Sequence, residues 1–144
     1  MLTDPDAMPI GELSKRTGVK VTTIRFYEQA GLMPEPPRSE ADRRLYSRQH
    51  KRRLSFIRHG RELWFEMDDI RTLLHLTDSP EMSCDEADRI ARRHLEDVNA
   101  KIGRLELLRT ELKRMVSECA RGTVAQCQVI DTLADHGLCA AHAH

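Results

Sequence analysis

Residues 9–31 read PIGELSKRTGVKVTTIRFYEQAG. Pro9 suits the first position of a helix, where its missing N–H costs nothing, and Gly18 suits the position just past a helix end. A second helix is expected from Val21 to Ala30, stopped by Gly31. Leu13 and Ile24 would pack the two together. Helix, glycine-containing turn and second helix make a helix-turn-helix. On this reading the second helix presents Thr22, Thr23, Arg25 and Tyr27 outward.

The next stretch, Leu32-Met33-Pro34-Glu35-Pro36-Pro37-Arg38, is excluded from helix and central strand by its three prolines. Arg44-Leu45-Tyr46 is short and extended. Together they predict a small hairpin, or wing, turning at Ser39-Glu40-Ala41-Asp42. Ser47 can cap a third helix to about Leu63, with Leu54, Phe56 and Ile57 on its apolar face. A fourth helix runs from about Met67 to Leu76, and Asp78-Ser79-Pro80 breaks it.

The formal charge is zero over 144 residues, but it is unevenly spread. From Lys15 to Arg61 there are 13 Lys/Arg against 4 Asp/Glu, and elsewhere 10 against 19. A basic block of this kind is the footprint of phosphate binding.

Ser83-Cys84-Asp85-Glu86 has the spacing of a capping box. Behind it, Ala91, Leu95, Val98, Ile102, Leu105, Leu108, Leu112, Met115 and Cys119 recur in helical steps. No proline interrupts. The pattern predicts a helix of about 34 residues, near 50 Å long. A chain this small cannot cover so long a stripe by itself, so the stripe reads as a coiled-coil dimer seam.

No apolar run approaches the roughly 20 residues of a membrane span, and the acidic start Met1–Asp6 lacks a signal-peptide core. The expected location is cytoplasmic, away from membranes, where thiols stay reduced. Four cysteines there point to metal or redox chemistry. Cys119 and Cys127 flank Ala120-Arg121-Gly122-Thr123-Val124-Ala125-Gln126, small and turn-forming enough to bring both sulfurs to one ion. Thiolates select soft or borderline cations. A Gly-rich phosphate loop, His-Glu-x-x-His and a nucleophile elbow are all missing, so an enzyme is not expected.

In order along the chain, Ile10-Gly11-Glu12-Leu13, Thr23-Ile24-Arg25-Phe26-Tyr27-Glu28, Gly31-Leu32, Arg38-Ser39, Arg44-Leu45-Tyr46 and Leu54-Ser55-Phe56-Ile57-Arg58 closely resemble the mercury-resistance regulator (MerR) family. The resemblance continues through the long helix and the Cys119–Cys127 loop. It implies a mainly α protein: a winged helix-turn-helix DNA-binding domain over 8–77, a dimerisation helix over 83–119 forming an antiparallel coiled coil, and a metal-binding loop, short helix and His/Cys tail over 119–144.

Carried over residue by residue, the resemblance assigns DNA contacts to Arg25, Tyr27 and Thr23 on the second helix. It adds Arg38, Arg44 and neighbouring Tyr46 in the wing, and Arg61 near the end of the third helix. Arg43 departs from the family, which usually has Tyr or Phe there; the resemblance then implies a phosphate contact in place of an aromatic one. The partners implied are promoter DNA, RNA polymerase and a second copy of the chain.

Cys84 falls at the start of the long helix, where the helix dipole favours anionic sulfur. In an antiparallel dimer it would approach Cys119 and Cys127 of the partner protomer. Three thiolates suit a divalent soft metal such as Cd, Zn, Pb or Hg. Cu(I), held by Cys119 and Cys127 alone, is the alternative, and a thiol redox sensor or metal buffer is more remote. Cys139, His142 and His144 in the tail are additional candidate ligands. The expected function is metal-dependent activation, through promoter distortion, of metal export or detoxification genes.

Overall fold

The computed structural model describes residues 5–119 and 121–135. It divides into two compact units, Met1–Ala87 and Asp88–His144.

In the first unit, α1 (Ile10–Thr17) begins after extended Pro9 and ends at Gly18, whose φ of 72° lets its N–H reach back to the Ser14 carbonyl at 2.8 Å. Helix α2 (Val21–Gln29) stops at Gly31, also left-handed at φ 76°. Leu13 and Ile24 are fully buried between them, as expected. The wing is there too, but it is held by isolated antiparallel bridges, Arg38 with Arg44 and Met8 with Tyr46. Its reversal uses Asp42 at φ 59°, and the Ser39 N–H donates to the Arg43 carbonyl at 2.6 Å.

Helix α3 (Arg48–Glu62) has a cap with an unexpected partner. Ser47 Oγ accepts the His50 N–H, and His50 Nδ1 accepts the Ser47 N–H at 3.0 Å. Imidazole stands where a capping box usually has Glu or Gln. Helix α4 (Met67–Thr77) follows. The core gathers Leu13, Ile24, Leu32, Tyr46, Leu54, Ile57, Ile70 and Leu74. Burying one such aliphatic side chain contributes about 2 kcal/mol.

Arginines hold carbonyls at two helix ends and in the segment after α2. Arg58 Nη1 donates to the Thr17 carbonyl at the foot of α1, and Arg71 Nη2 to the Ala30 carbonyl behind α2 at 2.8 Å. Arg53 Nε donates to the Leu32 carbonyl at 2.6 Å. Helix C-termini leave carbonyls unsatisfied and partly negative, so a guanidinium serves as both donor and counter-charge.

Helix α5 (Asp85–Ser117) is 33 residues long. Ser83 Oγ accepts the Asp85 N–H at 3.1 Å at its start. Leu95, Ile102, Leu105, Leu112 and Val116 are exposed along it. Met115, expected in the same stripe, is instead 7% exposed and already buried within one chain. The chain then passes through a 3-10 turn (Val124–Gln126) into α6 (Gln128–Ala134). Arg114 pins this corner: its guanidinium bonds buried Glu111 and reaches Thr132 Oγ1 of α6 at 3.4 Å. Among the described residues, no helix is long and apolar enough to cross a membrane.

Candidate nucleic-acid interface and thiol site

The turn that fixes α2 against α1 leaves one face of α2 open, and the wing folds up beside it. Between them runs an open groove lined by Arg25 and Glu28 from α2, Glu35 before the wing, and Arg38, Arg43, Arg44 and Tyr46 within it. Four guanidinium groups thus share one concave surface. Arg25 and Arg43 are exposed. Arg38 Nη1 donates to the Asp42 carbonyl at 3.1 Å, which ties the arginine to its own turn. Arg44 Nη1 lies 3.5 Å from Glu28 Oε2. Such a groove can grip a phosphate backbone, and the helix beside it can enter a major groove.

Not every expected contact faces outward. Tyr27 is 8% exposed and belongs to the core cluster, so the expectation that it points to solvent is corrected. The helical period turns position 27 to the same side as Ile24. Its neighbour Phe26 is the exposed aromatic, at 57%. Tyr46 is fully buried, and its hydroxyl donates to Glu28 Oε1 at 2.5 Å. Burial first, then the Glu28 carboxylate, push its phenol up to about 12. It supports the groove from beneath. Thr23 is half-buried on α2. Arg61 does not line the groove; it is exposed at the end of α3, donating to the Phe65 carbonyl at 3.0 Å.

Sequence reading missed Glu28, quoted within a motif but given no role. It also missed a second basic surface, lined by Arg48, Lys51, Arg52, Ser55, Phe56 and His59 on α3. These positions fall on one helical face by their spacing of three and four, which was the available signal.

The thiols occupy both ends of α5. Cys84 is exposed just before it; Cys119 and Cys127 are half-buried after it; all three are free. Cys119 donates its N–H to the Val116 carbonyl at 3.4 Å. Cys127 precedes α6 directly, and its carbonyl accepts the Asp131 N–H at 3.0 Å. Between them Arg121 takes φ 52°, which bends the loop. Cys139, His142 and His144 lie outside the described residues. Within one chain, the described residues form no group of three or more His, Cys, Asp or Glu that could hold a metal ion.

Two family models match: "MerR HTH family regulatory protein" over residues 8–77 and "MerR, DNA binding" over 51–115. The mercuric resistance operon regulatory protein of Bacillus cereus is 37% identical over 125 residues, covering 86% of this chain and 95% of that one. The transcriptional regulator ZntR of Escherichia coli strain K12 is 37% identical, covering 86% and 90%. The chain belongs to the MerR family. A solved MerR-family structure, the regulator PbrR691 from Ralstonia metallidurans CH34 in complex with lead(II), superposes with a TM-score of 0.76 at 41% identity over 88% of this chain and 98% of that one.

Membership makes this MerR-family chain a transcription regulator rather than an enzyme, and gives the N-terminal unit its DNA-binding character. The donor set after α5 also fits a soft cation. Cys119 and Cys127 are free and half-buried, and thiolates are chemically suited to such an ion.

Proposed function

We propose that this MerR-family regulator senses a divalent soft metal ion, with Cd, Zn, Pb and Hg as the class, and activates export or detoxification genes. The observation that carries the reading is the free, half-buried pair Cys119 and Cys127 behind a DNA-binding unit. The mercuric resistance regulator and lead-bound PbrR691 support the metal class by what their names say of them.

The third thiolate is Cys84 from the partner protomer. A helix of 33 residues holds its ends about 50 Å apart, so one chain's Cys84 cannot reach its own loop. In an antiparallel pair the start of one α5 meets the end of the other. Three thiolates match a doubly charged ion better than a singly charged one. When bound, such an ion supplies the charge that lets three anionic sulfurs stay close together.

Arg25, with Thr23 beside it, meets the major groove. Arg38, Arg43, Arg44 and Arg61 grip phosphates and set the register. The homodimer holds two such readers on one promoter beside RNA polymerase, and a change at the end of α5 alters their relative angle. DNA distortion costs a few kcal/mol, comparable to an allosteric coupling energy, so the coupling is energetically sufficient.

The test is a promoter reporter exposed separately to Zn, Cd, Pb, Hg and Cu(I), in wild type and Cys84→Ser. Wild type should respond to one or more divalent ions, and the variant should lose that response. Undiminished divalent response in the variant removes Cys84 from the site; a response to copper alone overturns the divalent reading.

A further inference from the structure

Glu28 is a carboxylate on the recognition helix, inside a groove otherwise shaped to attract phosphate. Its side chain is only 11% exposed. An anion there opposes DNA binding by simple Coulomb repulsion, so its presence calls for a compensating role. Its two oxygens are both engaged across the groove floor. Oε1 accepts the Tyr46 hydroxyl at 2.5 Å, and Oε2 lies 3.5 Å from Arg44 Nη1. Tyr46 and Arg44 belong to the wing, two residues apart, and Tyr46 is also bridged to Met8 before α1.

We infer that Glu28 is a positioning residue that fixes the offset between the recognition helix and the wing, and thereby the register at which Arg25 and Arg44 meet one duplex. This rests on the DNA-binding reading of the groove. A hydroxyl donating to an ionised carboxylate is one of the stronger hydrogen bonds available, and here it is buried beneath the arginines. The wing pairs through isolated bridges rather than a continuous ladder, and Glu28 is the side chain of α2 that ties it to the recognition helix through Tyr46 and Arg44. Glu28 also holds Arg44 in place before DNA arrives, which lowers the ordering cost of binding.

The experiment uses the full chain with the duplex upstream of its own coding sequence and a scrambled duplex of equal length. Glu28→Ala, Glu28→Gln and Tyr46→Phe are compared with wild type across a salt series, alongside thermal melting. Losing the tie should weaken the specific duplex about 10-fold in Glu28→Ala and Tyr46→Phe, the scale of a charge-assisted hydrogen bond. Binding to the scrambled duplex should hold or tighten, and the salt slope should stay unchanged because no phosphate-contacting arginine is lost. Glu28→Gln, which still accepts the phenol but lacks the charge, should recover part of the specific affinity. If Glu28→Ala fails to fold, Tyr46→Phe decides, since it keeps the buried ring.

Wild-type specific-to-scrambled ratios in folded Tyr46→Phe and Glu28→Ala overturn the inference, as does equal loss on both duplexes. Wild type failing to prefer its own upstream duplex sinks the DNA-binding reading of the groove instead.

Discussion

His50 shows how much one side chain can decide. Its Nδ1 accepts a backbone N–H from Ser47, so the proton must sit on Nε2, which faces the Pro34 carbonyl at 3.3 Å. The imidazole thus caps α3 and anchors the proline segment, with Tyr46 packed edge-on at 5.4 Å. Burial holds its pKa below the ordinary 6.5, outweighing the Pro34 carbonyl and Glu28, which pull upward. Folded His50 therefore binds a proton less readily than the unfolded chain does. Its contribution to stability is complete above pH 6.5 and is lost as pH falls toward the folded value. Urea midpoints measured from about pH 7.5 down to about pH 5 should drop, and His50→Gln should flatten that drop. Ser47→Ala should cost about 1 kcal/mol at neutral pH in the same assay. The sequence announced the serine as a cap. It did not announce the histidine, because a capping imidazole and a solvated one look alike in a string of letters.

At the scale of elements, part of the basic block does structural work inside the first unit. Arg53 and Arg58 belong to the basic block, yet they hold carbonyls at Leu32 and Thr17 rather than awaiting phosphate. Gly18 makes one of these closures possible. A Cβ there would come within 2.5 Å of Arg58 Nη1, at a φ of 72°. Gly18→Ala should destabilise the first unit by about 2 kcal/mol, from left-handed strain plus displacement of the guanidinium. Thermal melting would register this, and a neutral result would show that Arg58 can move aside without loss. Helix limits were readable because Pro9, Gly18, Gly31 and Ser47 act locally. The partners of Arg53, Arg58 and Arg71 were not, because each lies at least 21 residues away in the chain.

For the whole molecule, the exposed apolar residues of α5 pose the main energetic question. Leu105 and Leu112 are 63% and 58% exposed, with Val116 beyond them at 72%. They line one surface with Leu108. We propose that a second copy covers it. Leu105→Glu with Leu112→Glu should yield monomers by sedimentation and abolish specific DNA binding, while unit Met1–Ala87 keeps its melting behaviour. A dimer that survives both glutamates would place the seam elsewhere.

The sequence alone determined the helices, the wing and its turn, the basic character of the first unit and the loop flanked by Cys119 and Cys127. Caps, prolines, glycines and hydrophobic period act within a few residues of where they stand, so order along the chain suffices to read them. Only the tertiary structure decided that Tyr27 and Tyr46 are buried, that Phe26 is exposed, that Glu28 ties the recognition helix to the wing, that Arg58 closes the end of α1 and that Arg53 holds the Leu32 carbonyl beyond α2. Those outcomes depend on which distant groups compete for the same space and the same hydrogen bonds, and that competition exists only once the chain has folded.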